Sequence, residues 1–130
     1  MDSPAKKKTP ALVWVGRVIS ALIVAMLSFG GAMSIAKPPF VLEDMAKRGF
    51  PESSIVPMGV AALVSAVLYA VPQTAVLGAI LLTGYLGGAV ATHVHAGEGF
   101  VPAIVVGILV WLALLLRDER LRPLLPLRKL

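Results

Sequence analysis

The chain has 130 residues, 58% hydrophobic and 15% charged, with a mean hydropathy of +0.87. Its length suits one domain covering residues 1–130, and its apolar share lies above that of soluble domains, so it reads as a polytopic membrane protein. The net charge of +5 gathers mostly at the two ends, which marks topology and argues against nucleic acid as a partner. With no cysteine, disulfides, thiol catalysis, Cys-ligated zinc and iron–sulfur clusters are excluded within the chain.

Residues 1–10 are polar and basic, with Lys6, Lys7 and Lys8 together. The apolar run over residues 11–36, interrupted by Arg17, predicts a first span. Ser34-Ile35-Ala36 resembles a signal-peptide cleavage site. The run is longer than the ~7–15 residues of a signal sequence's apolar region, so a retained helix is expected. Gly30, Gly31 and Ser34 suit close helix packing. Lys37-Pro38-Pro39 stops the run, because proline cannot continue a helix and restricts the residue before it.

Residues 40–49 predict a short amphipathic helix with Val41, Leu42 and Met45 on one face. Glu43–Lys47 and Asp44–Arg48 are i,i+4 pairs in the favourable order. Gly49 sits where a C′ glycine belongs. Such a helix is too short to cross a bilayer, so an interfacial position is expected. Ser53 and Ser54 are candidate caps and Pro57 suits a first turn, opening a second span over residues 55–71. The tight Pro72-Gln73-Thr74 link makes the second and third spans an antiparallel hairpin.

The third span, residues 74–96, contains TAVLGAILLTGYLGGAVATHV, without Asp, Glu, Lys or Arg and long enough for a ~30 Å bilayer core. Gly84 and Gly88 are spaced as GxxxG, and Thr83, Gly87 and Ala91 form a second small stripe. Gly84, Gly87 and Gly88 are therefore candidate packing residues, because small side chains let helices approach closely in lipid. Gly97-Glu98-Gly99 is a turn, and Pro102 opens a fourth span over residues 101–116. The charged stretch after it is expected to carry the helix out of the membrane until Pro123 and Pro126 end it.

With the N-terminus inside, the cytoplasmic side holds Lys6, Lys7, Lys8, Arg17, Arg117, Arg120, Arg122, Arg128 and Lys129; the far side holds Lys37, Lys47 and Arg48. Nine against three is a positive-inside bias. Both termini are then cytoplasmic, and the amphipathic helix and both histidines lie outside.

Arg17 lies six residues into the first run, ~9 Å along a helix axis. A charge at that depth either snorkels to the interface or faces the bundle, where it would hold an anionic or quinone-like headgroup. Tyr85, Thr92 and His93 share roughly one side of the third span. They either line a polar pocket or make interhelical and backbone hydrogen bonds. His93 and His95 point ~200° apart on a helix, so a shared metal ion or a haem is not expected. Every Asp and Glu lies in a loop or terminus, which deprives a proton-coupled pump or a two-carboxylate hydrolase of its usual parts. Ser20, Ser28 and Ser65 have no paired base. No catalytic residue is assigned. Trp14, Trp111, Tyr69 and Tyr85 suggest packing and interface anchoring.

The chain resembles the DoxX-like family of small bacterial four-helix membrane proteins. The resemblance rests on Trp14, Gly16 and Arg17 opening the first span, Gly30 to Lys37-Pro38 closing it, the Gly49-Phe50-Pro51 turn, the stretch over residues 74–94, and Leu116-Arg117-Asp118. Gln73 stands where relatives often carry arginine, and His95 where they tend to carry a basic residue. The resemblance implies an inner-membrane protein, linked through related proteins to respiratory or oxidative-stress assemblies.

The expected architecture is all-α: a four-helix transmembrane bundle with an interfacial amphipathic helix. Three functions fit. One is a non-enzymatic membrane subunit or anchor, redox-linked in the sense the family resemblance implies, with other membrane proteins or a second copy as partners. Another is a quinone- or lipid-binding bundle using Arg17, Tyr85, Thr92 and His93. The third is a transporter or channel component.

Overall fold

The computed structural model describes residues 10–124, without the side chains of Arg122 and Leu124. The charges expected at Lys6, Lys7, Lys8, Arg128 and Lys129, and the stop at Pro126, lie outside the described residues. Within them the chain is all-α: α1 (Ala11–Ala36), α2 (Pro39–Lys47), α3 (Ile55–Ala70), α4 (Ala75–His95) and α5 (Val101–Arg117), with 3₁₀ turns at Glu52–Ser54, Pro72–Thr74 and Glu119–Leu124.

Among the described residues, three segments are long and apolar enough to cross a membrane: Ala11–Ala36, Glu52–Ala70 and Pro72–His95. Val101–Arg117 is a shorter apolar helix. Apolar side chains occupy both sides of the helices. Ile23, Leu27, Tyr69, Leu82, Val110 and Leu114 are buried in the core, while Leu22, Phe29, Val67, Ile80 and Ile108 face outward. A bundle apolar inside and out suits lipid, not water.

The four long helices form a ring in chain order, with α1 against α3 and α5, and α4 against α3 and α5. Successive members are antiparallel. Late α1 meets early α3 at Gly31 and Gly59, early α1 meets late α5 at Gly16 and Ala113, and α4 meets α5 at Thr83 and Trp111. One end of the bundle therefore gathers the start of α1, the α3–α4 turn and the end of α5. The other carries α2 and the α4–α5 turn.

Glycine sets the closest approaches. A Cβ on Gly78 would come within 2.2 Å of the Tyr69 nitrogen, and one on Gly16 within 2.7 Å of the Ala113 oxygen. The packing expected at Gly84, Gly87 and Gly88 is not made within this bundle, because a Cβ on any of them meets open space. The face of α4 that enters the core runs through Ala75, Gly78, Ala79, Leu82 and Leu86. Gly84 lies ~200° around the helix from Leu82.

The breaks between helices follow local chemistry. Lys37 closes α1 in the left-handed conformation, φ 53°, before Pro38. After α2, the Gly49 N–H donates to Ala46 and the Phe50 N–H to Met45. After α4, the Gly97 N–H donates to Val94 and the Glu98 N–H to His93. Both are Schellman closures on a glycine with positive φ. The cap expected from Ser54 is not formed, since its hydroxyl donates instead to the Pro51 carbonyl at 2.7 Å.

Candidate functional site

The end of the bundle that gathers the start of α1 and the end of α5 holds a cavity of about 1260 Å³. The first half of α1 lines it through Val13, Arg17, Ser20, Ala21 and Val24, which recur at helical spacing; α5 supplies Leu114 and Arg117, and the α3–α4 turn supplies Ala70, Pro72 and Ala75. The close approach at Gly16 brings α1 against α5, so two arginines from different helices border one space.

Arg117 is positioned by Tyr69. Tyr69 lies in the last turn of α3, where helix carbonyls lack an intrahelical donor and attract cations. The Arg117 guanidinium donates to the Tyr69 carbonyl and stacks over its ring, 4.5 Å from the centroid. The ring is fully buried, and its hydroxyl donates to the Val110 carbonyl at 2.6 Å. That leaves the Ser20 hydroxyl, 3.4 Å away, to donate to the tyrosine oxygen. Tyr69 thus ties α1, α3 and α5 together behind the cavity-lining Ser20 and Arg117.

Arg17 is held more loosely. It is exposed, with its guanidinium 4.9 Å from the Trp14 ring centroid. Asp118, at the mouth, is engaged by Arg120, whose Nε and backbone N–H both donate to Oδ1 at 3.1 Å. Those bonds hold the Asp118 carboxyl below its ordinary pKa, and Arg117 adds a smaller push in the same direction. Among the described residues, neither Arg17 nor Arg117 forms an ion pair.

Tyr85, Thr92 and His93 do not join Arg17. Ala75, beside the cavity, is eighteen residues before His93 on the same helix, or ~27 Å along the axis. Thr92 donates its hydroxyl to Gly88 at 2.8 Å, within its own helix. His93 places Nδ1 2.6 Å from the Ala89 carbonyl. A carbonyl only accepts, so Nδ1 carries the proton. Tyr85 packs against the core. Neither the cavity nor the smaller one beneath α2 is lined by any of the three. Helix α4 continues through His95, which keeps the two histidine rings on different sides.

The α2 end carries a charge cluster instead. Arg48, with its side chain 18% exposed, bonds Asp44 at 3.0 Å and Glu98 at 2.8 Å. His93 Nε2 stands 4.0 Å from Glu98. The bond to Asp44 raises the Arg48 pKa, and that to Glu98 adds to it against the effect of burial. The cluster clips the end of α2 to the turn after α4.

Sequence reading missed Tyr69, Ser20 and Arg117 as a group. Ser20 follows Arg17 by three residues, so both fall on one face, and that spacing was the available signal. Nothing in the sequence registers Tyr69 against Val110.

Fold and site together define a small all-α protein whose apolar helices are suited to spanning a membrane, with a basic cavity at one end. A profile of the DoxX-like family matches residues 18–116, more than half of the chain, and the chain belongs to the DoxX-like family. The match begins one residue after Arg17 and ends one residue before Arg117. No curated protein and no solved structure matches it.

Proposed function

We propose that this chain is a four-span, non-enzymatic protein of the bacterial inner membrane that binds a tailed ligand, a quinone or a lipid, in the cavity between Arg17 and Arg117. Two guanidinium groups from different helices border the same cavity without a carboxylate partner among the described residues. That observation carries the reading, since paired donors over apolar walls suit an amphiphile with a polar head. The fourth span is α5, whose 17 residues reach ~26 Å, with Arg117 snorkelling at its end. Arg17, Arg117 and Arg120 at one end support cytoplasmic termini. The nine residues of α2 then lie in the opposite interface.

Organic extraction of the protein purified in mild detergent tests this. A quinone or lipid retained at near-stoichiometric level, and lost in Arg17→Ala, is expected. Wild-type protein free of any such molecule would remove the reading.

A second reading, a membrane subunit or anchor of a larger, redox-linked complex, is favoured by the bare flank of α4 at Gly84, Gly87 and Gly88, where another helix has room to approach. Cross-linking in native membranes should then capture a partner chain or a second copy, and Gly88→Leu should abolish capture without changing melting. Capture that survives the substitution counts against that flank.

A further inference from the structure

We infer that the cavity selects the phosphodiester headgroup of an acidic diacyl lipid, with Arg117 as the fixed contact and Arg17 as the movable one. This rests on the tailed-ligand reading above and names the ligand's class.

The two arginines differ in preparation. Arg117 has one face on the Tyr69 ring and one N–H on the Tyr69 carbonyl. A guanidinium has five N–H donors in a rigid fork, so most remain for a ligand, already oriented. Arg17 is exposed and, among the described residues, rests on Trp14 alone. An exposed cation–π contact is weak, so its long side chain can leave that ring for an anion in the cavity.

Charge decides between ligands. A quinone is neutral, and its carbonyls would bring no charge to a lining where Arg17, Arg117 and Arg120 outnumber Asp118 and Glu119. A phosphate oxygen pair accepts charge-assisted bonds from both forks at once. The Asp118 carboxylate at the mouth is engaged by Arg120. Glu119 also lines the mouth, is exposed, and has no ion pair among the described residues. Its field opposes any anion and weighs more on a doubly charged phosphomonoester than on a singly charged phosphodiester.

Shape decides for a tail. Val13, Ala21, Val24 and Leu114 give the cavity apolar walls, and its volume is about 1260 Å³. That exceeds the ~300–1,000 Å³ of ordinary small-molecule pockets. Inorganic phosphate would leave those walls bare, whereas a glycerol backbone and the first acyl carbons would cover them.

The test uses the purified full chain in mild detergent, with melting followed during titration by phosphatidylglycerol, phosphatidylcholine, inorganic phosphate and decylubiquinone. Phosphatidylglycerol should raise the melting temperature by several degrees, less so at high salt, and phosphatidylcholine and phosphate should leave it unchanged. Arg17→Ala should weaken phosphatidylglycerol binding about tenfold, the scale of one hydrogen bond to a charged group. Its ligand-free melting checks the fold, and Arg117→Lys gives a second variant that keeps the charge but loses the fork.

Stabilisation by decylubiquinone in place of phosphatidylglycerol overturns the headgroup assignment and leaves the tailed-ligand reading standing. An equal shift from phosphate alone overturns the lipid. Undiminished phosphatidylglycerol binding in Arg17→Ala removes the clamp. Silence from every ligand removes both this inference and the reading beneath it.

Discussion

Gly31 of α1 and Gly59 of α3 meet backbone to backbone: a Cβ on either would stand 2.8 Å from the other's carbonyl oxygen. Backbone carbonyls cannot swing aside as a side-chain tip can, and the facing Cα–H groups make weak hydrogen bonds at such crossings. Gly31→Ala and Gly59→Ala should each destabilise the bundle by about 1–3 kcal/mol, the usual cost of overpacking. Gly84→Ala and Gly88→Ala, which meet open space, should melt as wild type or slightly higher. Thermal unfolding in detergent reads all four, and wild-type melting of Gly59→Ala would contradict the crossing.

Tyr69→Phe separates hydroxyl from ring. The hydroxyl bonds Val110 and Ser20, and side-chain bonds in membrane bundles average about 0.6 kcal/mol, with a maximum near 1.7. A loss in that range is expected, with ligand binding kept because the ring under Arg117 remains. Tyr69→Ala should cost about 3–5 kcal/mol, as for other buried aromatics. Equal losses from the two variants would mean the ring contributes nothing.

The clip at the other end acts locally. Exposed ion pairs contribute only about 0–1 kcal/mol, so Arg48→Ala should barely move global melting. Amide exchange in α2 should nonetheless rise, because Arg48 joins that helix to Glu98. Glu98→Gln should give the same local effect, and unaltered exchange in both variants would show that α2 is held by other contacts.

Asp118 offers a pH test. Its carboxyl is held below the ordinary value by Arg120 first. A depressed pKa means a stabilising contribution that is complete above the unfolded-state value and disappears as pH falls through the folded one. Carboxyl NMR should place the Asp118 midpoint below that of an exposed aspartate, and Arg120→Ala should move it back. A midpoint unmoved by that substitution would assign the depression elsewhere.

Much of the architecture is legible in the chain because prolines and glycines punctuate it. Pro38, Pro39, Gly49, Pro72 and Gly97 all fall at helix breaks. Which flank of a helix faces inward is not legible in the same way. In water an apolar stripe marks the core, but here Leu82 inside and Ile80 outside are equally oily, so the pattern carries no direction. Hence the small residues of α4 were visible while the packing position, Gly78, was not distinguished from Gly84. The candidate site divides likewise. Arg17 stands out because charge is costly in lipid, but its companions Arg117 and Tyr69 depend on register across helices. The common azimuth of Tyr85 and His93 was readable; that the Thr92 hydroxyl and His93 Nδ1 are taken by carbonyls of their own helix was not.

The unequal lengths of α1 and α5 have a consequence for the lipid around them. Twenty-six residues against seventeen is ~39 Å against ~26 Å of rod. No bilayer of uniform thickness matches both when upright, so the long rod leans or the leaflets pinch beside the short one. In the four-span arrangement proposed above, the protein would prefer the thinner patches of its membrane, and lengthening the surrounding acyl chains in vesicles should strain the α5 side before the α1 side.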